Sequence, residues 1–163
     1  MATNPTAPSY AWLVLQNYTT WPETWMAGSV AGAISLMHGT LNGFGLWFPQ
    51  SLLGVRADPA APGFQRFTIR PAYHSGIAGA NGTVATPHGL VRVQWTALPV
   101  TLKVTIPWNS AATVYFPHGQ GGRVIDIEAG RPAVQIDSSA FVGREGYSSV
   151  LQLGAGSYSL AVE

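Results

Sequence analysis

The sequence predicts a mixed fold: two apolar helices followed by an antiparallel β-sandwich. Three observations predict it. All eight Lys and Arg and six of the seven acids lie from Arg56 onward, so Glu23 is the one such charge before it. Up to Leu53 the apolar residues fall at mixed helical spacing, and after Gly63 they alternate with polar ones. The 19 Gly and 12 Pro punctuate short runs, as turns do between strands.

In chain order, Ser9 to Tyr18 predicts a short helix with Ser9 as its N-cap. Thr19 to Gly28 is irregular and Trp-rich. Ser29 to Leu53 predicts a second helix, stopped by Gly54 in the C′ position and kinked by Pro49 near its last turn. Arg56 to Gly63, rich in Pro, Ala and Gly, predicts a linker. Strands are then expected at 64–70, 90–95, 101–106, 112–116, 124–127, 133–136, 149–153 and 158–162, a spacing that suits a sandwich of about 100 residues. The expected division is residues 1–57 and 58–163. Two helices cannot surround a core. The first piece is therefore the tail of a larger helical unit, or it packs on the sandwich or on a second copy.

Composition excludes several classes. A net charge of +1 without a basic stripe argues against nucleic acid as a partner. Charged residues are 9%, against about 25% in ordinary soluble domains. With no Cys, thiolate metal sites and Cys nucleophiles are absent, and His74, His88 and His118 lack ligand spacing, so neither a cofactor nor a metal is expected. These three read as exposed turn histidines. Met26 to Phe48 is uncharged and long enough to span a bilayer, but its Ser, His, Thr, Asn and five Gly favour a buried segment over a membrane helix. No signal peptide is visible at Met1 to Pro8, and localisation stays open between secreted and cytoplasmic.

Elsewhere the simplest readings apply. Gly119 to Gly122 reads as a hairpin turn because it lacks the Lys of a phosphate loop, and Asn81-Gly82 reads as a tight turn. Ser138 and Ser139 have no partners for nucleophilic catalysis. Trp95 and Trp108 read as core or domain-interface packing.

The residues with chemistry to offer are Trp21, Glu23 and Trp25. A carboxylate between two Trp in an otherwise uncharged stretch is costly unless it is used or solvated. Indole faces stack on the C–H faces of sugars, and a carboxylate bonds hydroxyls or serves as general acid or base. A helix-capping or loop acid between two core Trp is the bland alternative.

Several ordered motifs resemble one family. Pro8-Ser9-Tyr10, Thr19-Thr20-Trp21-Pro22-Glu23-Thr24-Trp25, Ser35-Leu36-Met37-His38-Gly39 and Gly45-Leu46-Trp47 resemble the last helical hairpins of bacterial and fungal α-L-rhamnosidases, glycoside hydrolase family 78. Pro62-Gly63-Phe64, Ile69-Arg70-Pro71, Thr86-Pro87-His88-Gly89, Ile106-Pro107-Trp108-Asn109 and Gly156-Ser157-Tyr158 are similar to its C-terminal sandwich. The resemblance implies the end of an incomplete (α/α)6 barrel followed by that sandwich, acting on a rhamnose-containing glycoside with inversion. It implies Glu23 as general base and His38 as a sugar contact, with Trp21 and Trp25 lining the site. Met37 stands where the family motif has Asn. The general acid is expected upstream of the segment that this chain resembles. The expected partners are therefore the remaining barrel portion or a second copy, and the expected activity of the chain alone is none. The alternative is an accessory sandwich, structural or carbohydrate-binding, that docks on a partner through its helical tail.

Overall fold

A computed structural model describes residues 3–25, 35–73, 76–118, 123–127, 130–132, 141–145 and 148–162. The chain divides into two units, Met1–Leu46 and Trp47–Glu163.

In the first unit, Ser9 caps helix α1 (Tyr10–Leu15), its Oγ accepting from the Trp12 N–H at 2.9 Å. The helix is shorter than its sequence pattern suggests. Asn17 takes a left-handed φ of 63°, and the N–H groups of Asn17 and Tyr18 close back on the carbonyls of Val14 and Leu13, at 2.9 and 3.0 Å. This is a Schellman stop with Asn in the place Gly usually holds.

The second expected helix does not form among the described residues. Residues 35–38 are irregular, Gly39–Leu41 is one 3-10 turn, and α2 (Phe44–Trp47) is a single turn. Phe48–Leu52 then widens into a π turn closed by the Leu53 N–H on the Phe48 carbonyl at 2.9 Å. Gly39, Gly43 and Gly45 weaken helix locally, and Pro49 has no N–H to bond. No helix among the described residues is long and apolar enough to cross a membrane.

Gly54 does stop this segment. Its φ is +75°, and a Cβ there would stand 2.1 Å from the carbonyl carbon of Arg70. The Arg70 N–H donates to the Gly54 carbonyl at 2.9 Å, so two backbones meet where only Gly fits.

The stretch read as a linker is ordered. Val55–Ala57 is strand β1, and Asp58 turns the chain, its carboxylate accepting from the Ala60 N–H at 2.9 Å. Residues Pro62–Phe64 form a 3-10 turn that leads into β2 (Arg66–Ile69), which pairs with β1. Local composition suggested a linker, but pairing with β2 supplies the hydrogen bonds that composition cannot show.

Among the described residues nine more strands follow: β3 (Gly79–Thr86), β4 (Gly89–Ala97), β5 (Val100–Ile106), β6 (Ala111–Pro117), β7 (Val124–Asp126), β8 (Arg131–Pro132), β9 (Phe141–Glu145), β10 (Ser148–Leu153) and β11 (Gly156–Val162). They make a five-stranded sheet, β1-β2-β6-β10-β9, and a six-stranded sheet, β3-β4-β5-β11-β7-β8. Among the described residues all the pairings are antiparallel except β2 with β6, which is parallel in the register Phe67 with Ala112 and Ile69 with Val114. Alternation then packs a core between the sheets. Phe67, Ile69, Val114, Phe116, Leu151 and Leu153 come from one sheet, and Val91, Val93, Trp95, Leu102, Val104, Ile106 and Leu160 from the other.

Asn81-Gly82 is not a turn: it lies inside β3, opposite Gln94 and Val93. The expected strand at 133–136, the glycine turn at 119–122, Ser138, Ser139 and His74 lie outside the described residues. His118 is buried rather than exposed, and His88 is half-buried. Trp95 is buried at 1% exposure, whereas Trp108, expected to pack, is 82% exposed on the turn after β5.

Candidate functional site

The first unit brings the sequence-predicted site residues onto two neighbouring strips of chain. The Glu23 N–H donates to the Ser35 carbonyl at 2.9 Å, and the His38 N–H donates to the Trp21 carbonyl at 2.9 Å. Thr20 Oγ1 adds a bond to the Leu36 carbonyl, 16 residues away. Residues 20–23 and 35–38 thus lie side by side. The Glu23 carboxylate accepts from the Ser35 N–H at 3.4 Å, which ties the acid to the strip that carries His38.

Pro22 is buried directly before Glu23, and its ring fixes the backbone approach to the acid. Glu23 is half-buried. His38 is exposed, and it sits in irregular chain rather than on the apolar helix expected for it.

Trp21 and Trp25 meet through a residue that the site reading missed. Tyr10, from the first turn of α1, meets Trp21 edge-on at 5.1 Å, Trp25 edge-on at 5.0 Å, and stacks on Phe44 at 4.1 Å. Its hydroxyl donates to the Leu41 carbonyl at 3.0 Å. One ring therefore holds both Trp of the motif, the helix and the segment after His38. The signal was a polar-tipped aromatic just after an N-cap. Nothing local marks such a residue as a hub, because its partners lie 11 to 34 positions away. Beside this cluster is an open apolar groove of about 410 Å³, lined by Tyr10, Trp21, Phe44, Val14 and Leu15 among others.

The arrangement can offer a carboxylate beside aromatic faces. Glu23 is the one acid of residues 1–46. Chemistry that needs a second carboxyl must recruit it from elsewhere. No group of three or more His, Asp or Glu suited to a metal occurs among the described residues.

Comparison with known proteins gives a consistent result. Residues 54–129 match the family described as the bacterial α-L-rhamnosidase C-terminal domain. An α-L-rhamnosidase of Formosa agariphila is 31% identical over 119 residues, which cover 69% of this chain and 12% of that protein. One from Alteromonas sp. is 32% identical over 115 residues, 66% of this chain and 12% of that protein. The chain thus spans about an eighth of these curated relatives.

Among solved structures, the α-L-rhamnosidase of Dictyoglumus thermophilum aligns over 99% of this chain and 18% of its own, with a TM-score of 0.77 at 21% identity. That of Streptomyces avermitilis, solved with L-rhamnose, aligns over 98% of this chain and 15% of its own, with a TM-score of 0.72 at 24% identity. At these identities the two structures speak for the fold.

Proposed function

We propose, on the premise that this chain is a C-terminal α-L-rhamnosidase segment, that it supplies the base side of an inverting glycosidase site. The expected division gives residues 1–57 to the end of the catalytic barrel and 58–163 to the sandwich domain; β1, which ends at residue 57, already pairs within the sandwich sheet. The observation that carries the reading is the pairing of residues 20–23 with 35–38, which sets Glu23 beside the strip bearing His38.

Inversion at an anomeric carbon uses two carboxyl groups about 6.5–9.5 Å apart, with a water held by one of them. Glu23 is the base. It takes a proton from that water as the water's oxygen bonds to the anomeric carbon. The leaving oxygen departs with a proton from a second carboxyl, supplied by the rest of the barrel. Trp21, Trp25 and His38 line the rhamnose pocket, the indoles on its C–H faces and the imidazole on a hydroxyl. By itself the chain holds one carboxyl of the pair and is silent. Its partner is the remaining barrel portion, and when that is missing the exposed Val14, Leu15, Leu36 and Met37 drive self-association.

The test is hydrolysis of p-nitrophenyl α-L-rhamnoside, by the chain alone and by the chain joined behind the upstream part of the Formosa agariphila relative. Turnover is expected only from the joined protein, falling at least ~10³-fold in Glu23→Gln. Azide should restore turnover in Glu23→Ala, giving rhamnosyl azide of inverted configuration. Full activity in Glu23→Gln would remove Glu23 from the reaction.

A further inference from the structure

The outer face of the six-stranded sheet carries a polar array that the rhamnose site does not use. Strand register builds it in two rows. Thr83, Arg92, Thr105 and Ser157 lie opposite one another across β3, β4, β5 and β11. Asn81, Gln94 and Lys103 form the next row across β3, β4 and β5. Their neighbours along each strand, Val91, Val93, Leu102 and Val104, point into the core, so alternation sends this whole set outward. The rows bound a hollow of about 250 Å³ whose floor is the sheet itself.

Two properties make this more than a solvated sheet face. First, its charges have one sign. Arg92 and Lys103 sit diagonally on adjacent strands, at roughly 7–8 Å by sheet geometry. No carboxylate lines the hollow, and neither cation takes part in the salt bridge of Arg66 with Asp58. Two like charges held on a rigid sheet repel, and an anion between them reverses the sign of that interaction. Second, the outward side chains beside them on the four strands, Asn81, Gln94, Thr83, Thr105 and Ser157, carry amides and hydroxyls. Thr105 and Ser157 already share a hydroxyl contact at 3.2 Å. Amides and hydroxyls both donate and accept, as sugar hydroxyls do.

We infer that this face is a binding site for an acidic oligosaccharide: Arg92 and Lys103 take a carboxylate or sulfate on one sugar unit, and Asn81, Gln94, Thr83 and Thr105 take the hydroxyls around it. Two cations match one anionic unit and are too few to track a polyphosphate strand, where each neutralised phosphate needs its own cation. The choice of a sugar rests on the glycosidase reading, while the anion site itself does not.

The experiment is amide NMR of the full 163-residue chain titrated separately with a galacturonate trimer, a sulfated chondroitin disaccharide, maltotriose and sodium sulfate. The galacturonate trimer or the sulfated disaccharide should shift amides 81–83, 92–94 and 103–105, and whichever is stronger names the anion. Arg92→Gln and Lys103→Gln should each weaken that binding at least tenfold. Arg66→Gln, which removes the same charge from the other sheet, should leave it unchanged, and unaltered spectra elsewhere show that each variant folds. Equal shifts from maltotriose, equal binding by all variants, shifts from sodium sulfate alone, or no shifts at all would overturn the proposal. Rhamnoside hydrolysis by the joined protein, read in parallel with Arg92→Gln, separates the two readings. Loss of hydrolysis in Glu23→Gln bears on the first and leaves the amide shifts untouched.

Discussion

The Leu53 side chain occupies the space that a β-carbon on Gly82 would need. Its Cδ1 lies 2.5 Å from where that carbon would stand. Gly82 sits inside β3 on the core-facing row with Val84, and Leu53 comes from the turn that enters the sandwich. A leucine from outside the strand thus fills the gap left by the missing side chain.

From this contact we expect Gly82→Val to destabilise the sandwich by about 1–3 kcal/mol, the usual cost of overpacking. Leu53→Ala alone should cost about 2–4 kcal/mol through its cavity. The double variant should cost less than the sum, because valine at 82 refills part of the space that leucine leaves. Urea unfolding of the four proteins checks this, and strict additivity would mean that the two residues do not share the space.

Gly54 and Gly63 both have left-handed φ, +75° and +78°, but their surroundings differ. At Gly63 a β-carbon meets nothing within 4 Å, so Gly63→Ala carries only the conformational cost of about 1–2 kcal/mol. At Gly54 it would meet the Arg70–Pro71 backbone, which cannot rotate away, so Gly54→Ala should cost about 3–4 kcal/mol. Thermal midpoints should rank wild type, Gly63→Ala, then Gly54→Ala.

Tyr73 is buried, edge-on to Trp95 at 5.3 Å and to Phe116 at 6.3 Å, and its hydroxyl has no hydrogen-bond partner among the described residues. Tyr73→Phe removes an unsatisfied group and should be neutral, or stabilising by up to about 1 kcal/mol. Burial also pushes the phenol well above its ordinary range. In the unfolded chain the phenol loses its proton near pH 10, while the folded protein still holds it. The unfolded state then binds fewer protons, so the stability contribution is complete below about pH 10 and declines as pH rises further. Urea midpoints from pH 8 to 11 should fall less steeply in Tyr73→Phe than in wild type.

Tyr10 joins Trp21, Trp25 and Phe44 in the first unit. Tyr10→Phe keeps the rings together and loses the bond to Leu41, at a cost of about 1 kcal/mol. Tyr10→Ala removes the centre of the cluster, at roughly 3 kcal/mol or more. Tryptophan emission should shift to the red in Tyr10→Ala and stay in place in Tyr10→Phe. An unchanged spectrum in both would show that the indoles are held by other groups.

A short window of chain already encodes part of this fold. The alternation of Val91, Val93 and Trp95, and of Leu102, Val104 and Ile106, names two strands and their inward faces, and the structure buries all six. Ser9 names an N-cap and Gly54 names a stop, since each depends on groups within a few residues or on φ alone. The pairing of residues 20–23 with 35–38 was not legible in the sequence, because no periodicity links the two strips. Tertiary structure decided the rest. It made β1 a strand by giving it β2 as a partner, set β2 parallel to β6, and drew Asn81-Gly82 into β3, where a turn pattern had stood. It also turned Tyr10 into a hub and left Trp108 exposed. The reason is the same in each case: hydrogen-bond partners and packing neighbours tens of residues away set the outcome, and local propensity is too weak to outweigh them.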